Sequence, residues 1–189
     1  MVLKKPADET TRFEENLAAE QSYLTLARRL CQLAQPILGL WPVPVTMVFG
    51  ELPRHLAKAL ASLGVAVGLV APQARWCDDA SRGQLLVSSL GESVDSLRPV
   101  WSGKSPPAAA IEQTLTLIRD RYACVLLDLA GMDVPDAHEV ALVPGVAIMF
   151  LVAQGQINQF ALARLRRRIP AERLLGAVLV EPQRRGAVA

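Results

Sequence analysis

A run of apolar residues, Val146-Ala147-Ile148-Met149-Phe150-Leu151-Val152, limits what this chain can fold into more than any other feature. A strand with one face in water alternates apolar and polar side chains, whereas a strand that is apolar throughout is covered on both faces. Similar runs occur at Val65-Ala66-Val67-Gly68-Leu69-Val70, Cys124-Val125-Leu126-Leu127 and Gly176-Ala177-Val178-Leu179-Val180. The β-branched segment Val45-Thr46-Met47-Val48-Phe49 reads as a further strand, and Gln84-Leu85-Leu86-Val87 as a short one. Helical spacing lies between them. A long helix is expected from Asp8 or Thr10 to about Gln35, with Leu17, Leu24, Ala27 and Cys31 on one stripe and Tyr23, Leu26, Leu30 and Leu33 beside it. Prolines 36, 42 and 44 end it. Further helices are expected over residues 54–63, closed by Gly64, and over 108–122 and 156–169. Strands alternating with helices predict a three-layer α/β/α domain with a mostly parallel central sheet. That single domain would span residues 1–189, with 1–10 and 184–189 flexible. Ligands of such sheets sit beyond the carboxyl ends of the strands.

The remaining bulk properties exclude more than they assign. Hydrophobic content of 51% over 189 residues supplies a full core rather than a disordered chain. A net charge of +2 and an aromatic content of 5%, without basic and aromatic residues interleaved, argue against nucleic-acid binding. Cys31, Cys77 and Cys124 have neither metal-ligand spacing nor an even count for a disulfide framework. No apolar run reaches the length of a membrane span, since Pro144 and Gly145 interrupt the longest, and no secretory pattern opens the chain. A cytoplasmic protein is therefore expected.

Two segments then disagree. Tyr122-Ala123-Cys124-Val125-Leu126-Leu127-Asp128 reads as a buried strand ending in an aspartate, the arrangement by which nucleotide hydrolases hold magnesium, because a hard cation takes hard oxygen ligands. Asp128 could instead cap a loop or a helix start. A phosphate-binding loop needs glycines, so that consecutive N–H groups converge, and a lysine. The segment Phe49-Gly50-Glu51-Leu52-Pro53-Arg54-His55-Leu56-Ala57-Lys58, where that loop is expected, has one glycine and no Gly-Lys pair. Pro53 suits the first turn of a helix, Lys58 a solvated helix face, and Arg54 or His55 could meet an anion at the helix start. Gly103-Lys104-Ser105 has the residue types of a phosphate loop, but Arg98 stands where its first glycine belongs and Pro106-Pro107 follow, so it reads as a turn. Asp133 and Asp136 could form a carboxylate cluster with Asp128, or serve as turn residues. His55 and His138 lack spaced partners. Arg164, Arg166, Arg167 and Arg168 crowd one helix end. They complement its dipole and also form a candidate interaction patch for an acidic partner or anionic lipid heads.

The order of these segments resembles the MinD/ParA-type deviant P-loop ATPases, and most closely the bacterial tyrosine kinases of exopolysaccharide export. The resemblance covers about residues 20–182. Gln21-Ser22-Tyr23-Leu24-Thr25-Leu26-Ala27-Arg28-Arg29-Leu30 is similar to the E-A-Y-R-T-L-R-T-x-L helix of those kinases, and Gly103 to Ala109 to their G-x-x-P-P-N-P loop. Arg119 to Asp128 is similar to R-x-x-Y-D-x-V-I-I-D, Pro135-Asp136-Ala137 to S-D-A, and Glu172 to Val180 to R-L-L-G-V-V-L-N. Ala147 to Gly155 parallels the strand between the last two. The departures fall on chemistry. The phosphate loop is missing, and the second strand runs into Ala71-Pro72 rather than an aspartate. Gln21, Leu24 and Ala27 replace a glutamate and two arginines that help build a ring in the family. Val180 replaces an asparagine, and there is no tyrosine-rich tail. Asp128 is the surviving site residue, a vestige of the Walker B aspartate. The resemblance thus implies a P-loop NTPase-like fold without catalytic residues, cofactor or metal. The expected function is a regulatory or scaffold subunit of an exopolysaccharide or cellulose synthesis system. It would bind a protein partner in a membrane-associated complex, pair with a second copy, and be recruited to the inner membrane by its partner. Two alternatives stand beside it: an active ATPase or kinase using Asp128 with Arg54 for the lysine, and a degenerate positioning protein in division, pilus or flagellar assembly.

Overall fold

The computed structural model describes residues 9–33, 36–44, 49–70, 85–99, 108–130, 132, 134–155 and 159–181. Seven strands form one sheet: β1 Ile37–Val43, β2 Val67–Val70, β3 Leu85–Gly91, β4 Val94–Pro99, β5 Cys124–Asp128, β6 Val146–Ala153 and β7 Leu174–Val180. Their spatial order is β3-β4-β2-β5-β1-β6-β7. Every pairing is parallel except β3 with β4. Helices α1 Glu9–Gln32 and α2 Leu52–Ser62 cover one face; α3 Ala108–Ile118, α4 Val134–Ala141 and α5 Gln159–Arg166 cover the other. A 3-10 turn, Ala171–Arg173, leads into β7. The three-layer, mostly parallel architecture is the one that the apolar runs predict.

Alternation along β1 shows how the two cores are divided. Ile37, Trp41 and Val43 enter the core beneath α3, α4 and α5, and Leu38 and Leu40 enter the core beneath α1 and α2. On α1 the residues that pack are Tyr23, Leu24, Leu26, Ala27 and Leu30, whereas Cys31, expected on the buried stripe, is exposed. The α2 stripe of Leu52, Leu56, Ala59 and Leu60 is buried at helical spacing. Its end is closed by Gly64, at φ +83°. The Gly64 N–H donates to the Ala61 carbonyl and the Val65 N–H to the Leu60 carbonyl, the paired bonds of a Schellman closure.

Four expectations need correction. The first described strand is Ile37–Val43, upstream of the Val45–Phe49 segment that was expected, of which Val45 to Val48 lie outside the described residues. Prolines 36 and 42 masked it, yet neither breaks a ladder. The Pro36 and Leu40 carbonyls accept from the β5 side, from the Val125 and Leu129 N–H groups, so Pro42, of the same parity, also faces β5. The β5 pairing has ended by then, at Leu40 opposite Asp128, so its missing N–H costs no bond. Second, β4 escapes sequence reading because Asp95, Ser96 and Arg98 break its apolar pattern. The strand read as residues 84–87 is the start of the longer β3. Third, Asp136 lies in the first turn of α4 rather than in a loop, where its charge complements the helix dipole. Fourth, α1 ends at Gln32, α3 at Ile118 and α5 at Arg166, each short of the end that the apolar spacing suggested.

Candidate functional site

The carboxyl ends of β1 and β5 lie side by side near the middle of the sheet, where such folds bind ligands. Asp128 ends β5, opposite Leu40 in register, so β1 runs on to Val43 past it. Four buried residues precede Asp128, and its own side chain is half-buried. Its Oδ1 accepts the Ala130 N–H at 3.0 Å, an Asx-type turn that caps the chain reversal after the strand. Burial holds the carboxyl above the ordinary carboxylate range, and the Ala130 hydrogen bond acts in the opposite sense. A folded-state pKa above the unfolded one means that ionised Asp128 subtracts from stability at neutral pH, and that the loss fades as pH falls towards about 4. Asp128→Asn keeps an oxygen for Ala130 and is expected to raise Tm at pH 7 by roughly 1–3 °C, with the gap to the parent closing near pH 4 in paired thermal melts. A parent stabilised by Mg-ATP and a variant indifferent to it would instead make Asp128 a working ligand.

The unit that would hold phosphate is β1, α2 and the connecting residues 44–51. The connection between the two elements therefore lies upstream of the segment 50–58 that the sequence suggested, since Leu52 already begins α2. Its sequence, Pro44-Val45-Thr46-Met47-Val48-Phe49-Gly50-Glu51, has one glycine and no lysine or serine. At the start of α2, Glu51 takes the N-cap position and Arg54 donates to its Oε2 at 2.8 Å, both side chains being exposed. A carboxylate there opposes an incoming phosphate, and Arg54 is already engaged. Pro53 sits in the first turn as expected, Lys58 is exposed, and His55 stacks on Tyr23 with ring centroids 5.4 Å apart.

Other candidates are scattered. Asp133 and the loop Gly103–Pro107 lie outside the described residues. Among the described residues no three His, Cys, Asp or Glu side chains come together as metal ligands. The His138 ring is 2.9 Å from the Arg168 carbonyl and ties α4 to the end of α5. Arg164, Arg166, Arg167 and Arg168 are all exposed, in α5 and the turn after it. A cavity of about 270 Å³ lies at the opposite, amino end of the sheet, between Leu30, Cys31, Leu38, Leu60, Cys124 and Leu175. Its apolar lining suits no phosphate. Sequence reading missed the pairing of Tyr122 with Asp95, whose Oδ2 accepts the phenol O–H at 2.9 Å. Their 27-residue separation carries no local signal.

No family model matches the chain, and no curated protein matches it. Solved structures do. The BceF tyrosine kinase domain superposes with a TM-score of 0.64 at 20% identity, over 86% of this chain and 77% of that one. The VpsO kinase domain gives a TM-score of 0.64 at 15% identity, over 93% and 100%. The kinase domain of the Escherichia coli tyrosine kinase ETK gives 0.55 at 19%, over 87% and 74%. The resemblance to bacterial tyrosine kinase domains therefore holds at the level of the fold, a mostly parallel α/β sheet with helices on both faces. Among the described residues no helix is long and apolar enough to cross a membrane.

Proposed function

We propose that this chain is a non-catalytic regulatory or scaffold subunit of a bacterial exopolysaccharide or cellulose synthesis and secretion system, working at the cytoplasmic side of the inner membrane through a protein partner. One observation carries the reading. A tyrosine-kinase-like sheet keeps the strand-end aspartate, while the connection from β1 to α2 has no glycine-lysine cradle and opens onto the Glu51–Arg54 pair. Backbone N–H groups converging on phosphate are the main grip of such enzymes, and a single positioned aspartate does not replace them.

Three further features support it. Asp128 spends one carboxylate oxygen on its own turn. Leu24 and Ala27, which stand where the resembled kinases carry arginines, pack against α2, so that helix face serves the chain's own core. The chain has two tyrosines, and both are packed, Tyr23 against His55 and Tyr122 against Gly68 and Asp95. Neither is presented as a phosphoryl acceptor.

Calorimetric titration with Mg-ATP and Mg-ADP tests the reading. No binding heat is expected at nucleotide concentrations up to about 1 mM, which corresponds to a binding free energy weaker than about −4 kcal/mol. A micromolar dissociation constant would overturn it in favour of an enzyme using Asp128. Neighbouring genes separate the secretion role from a positioning role. Glycosyltransferase genes support the first, and septum or pilus genes would move the assignment to the second.

A further inference from the structure

Helix α5 turns two different faces to its surroundings. Leu162 and Leu165 pack, half-buried, against the core beneath α3, α4 and α5, and no residue of the helix is fully buried. At 3.6 residues per turn, Phe160, Arg164 and Arg167 fall on one stripe on the opposite side, spanning about 10 Å. Arg167 belongs to that stripe because its N–H still donates to the Ala163 carbonyl, at 3.2 Å. Arg166 lies about 120° around the helix from Phe160, nearer Leu162, and Arg168 lies in the turn beyond the helix. All four arginines are exposed, and the salt bridge among the described residues is elsewhere, at Arg54 and Glu51.

Phe160 is 87% exposed, more than any other large hydrophobic residue described. Leu179, on the edge strand β7, is 72% exposed. It pairs with Val152, whose side chain belongs to the α5-side core, so Leu179 projects from the face of the sheet that α5 covers. Phe160 and Leu179 both lie towards the carboxyl end of the sheet, since α5 starts just after β6 ends and Leu179 is near the end of β7. Phe160 thus shares a helix stripe with arginines that have no salt-bridge partner among the described residues.

We propose that this surface docks the chain directly onto an anionic lipid bilayer. Phe160 enters the interfacial layer, Arg164 and Arg167 beside it engage lipid phosphates, and Arg166 and Arg168 add positive charge at the same helix end. The charge signs are complementary, and guanidinium groups bind phosphate oxygens in pairs. An aromatic ring on a helix lying in the interface plane is the usual apolar contribution to such contacts. An exposed aromatic ring beside arginines suits a lipid interface, which has an apolar interior beneath anionic headgroups, better than a purely acidic segment. Such binding is a property of the isolated chain, so it stands or falls independently of the regulatory role.

Co-sedimentation of the full chain with phosphatidylcholine vesicles, with and without phosphatidylglycerol, reads the effect. Binding is expected with phosphatidylglycerol only, and should be largely lost at about 0.5 M NaCl through screening. Replacing the four arginines by glutamine should weaken it at least about tenfold. Phe160→Ser, at a fully accessible site, should weaken it severalfold at constant salt and leave the melting temperature unchanged. No binding to phosphatidylglycerol vesicles at low salt, or binding undiminished in the four-arginine variant, would overturn the proposal. Retention on immobilised polyglutamate without vesicle binding would assign the patch to an acidic protein and overturn it too.

Discussion

Trp41→Ala is expected to cost about 3–5 kcal/mol of folding stability, and Trp41→Phe less than about 1.5 kcal/mol. Trp41 is fully buried in β1 and lies edge-on to Phe150, with ring centroids 5.9 Å apart at 66°. Truncation to alanine removes that contact and leaves a cavity beneath α3 and α4. Phenylalanine keeps much of the ring packing. It also removes the indole Nε1–H, which is buried without a hydrogen-bond partner among the described residues. An orphaned buried donor costs about 1–3 kcal/mol, which offsets part of the lost area. Urea unfolding of the three proteins distinguishes these contributions. If phenylalanine proved as costly as alanine, the indole N–H would have to be satisfied, for example by a bound water. The result bears on function because Trp41 lies on the strand that leads into the position of the missing phosphate loop.

Gly68→Val should destabilise the sheet by about 3–5 kcal/mol, combining overpacking with loss of a charge-assisted hydrogen bond. A Cβ at Gly68 would stand 2.8 Å from Leu97 Cδ1 and 3.0 Å from Tyr122 Cδ2. The leucine tip can move. The tyrosine ring cannot shift without carrying its hydroxyl away from Asp95. Burial first, and then the Asp95 hydrogen bond and charge, push the Tyr122 phenol from 10.0 up to about 12. Because that pKa is raised in the folded state, the interaction stabilises fully below about pH 10 and is lost as pH rises towards 12. Ultraviolet titration of Gly68→Val should show Tyr122 ionising closer to pH 10. A titration unchanged from the parent would show that the ring had kept its place, and the steric account would fail.

The sheet was readable where strands are central and uniformly apolar. For β2, β5 and β6 the sequence runs coincide with the elements to within one or two residues, because burial on both faces leaves no room for a polar side chain. Strand β1 was hidden although it is equally buried. Prolines in an apolar run usually signal breaks, and only the register with β5 reveals that Pro42 comes after that ladder ends. Strand β4 was hidden for the opposite reason, since its polar side chains Asp95 and Ser96 are paired or covered by distant parts of the chain. At the candidate site, Asp128 could be placed because a strand end is a local feature. Its Asx turn and the Glu51–Arg54 pair needed coordinates. The arginine cluster was visible as composition. The exposure of Phe160 was not: its position opposite Leu162 and Leu165 on the helix is legible, but whether another part of the chain covers it needed coordinates.

The position of β1 between β5 and β6 has a consequence for how this protein is made. Both neighbours of β1 lie far downstream, the nearer beginning at Cys124, about 80 residues after Val43. At synthesis rates of about 5–20 residues per second, the finished β1 segment waits roughly 4–16 s before a partner strand exists. Throughout that interval Ile37, Leu38, Leu40 and Trp41, all destined for the interior, have no sheet to enter. The nascent chain is thus most vulnerable to self-association early in translation, and coverage of that segment by a chaperone should govern the yield of folded protein more than its final stability does.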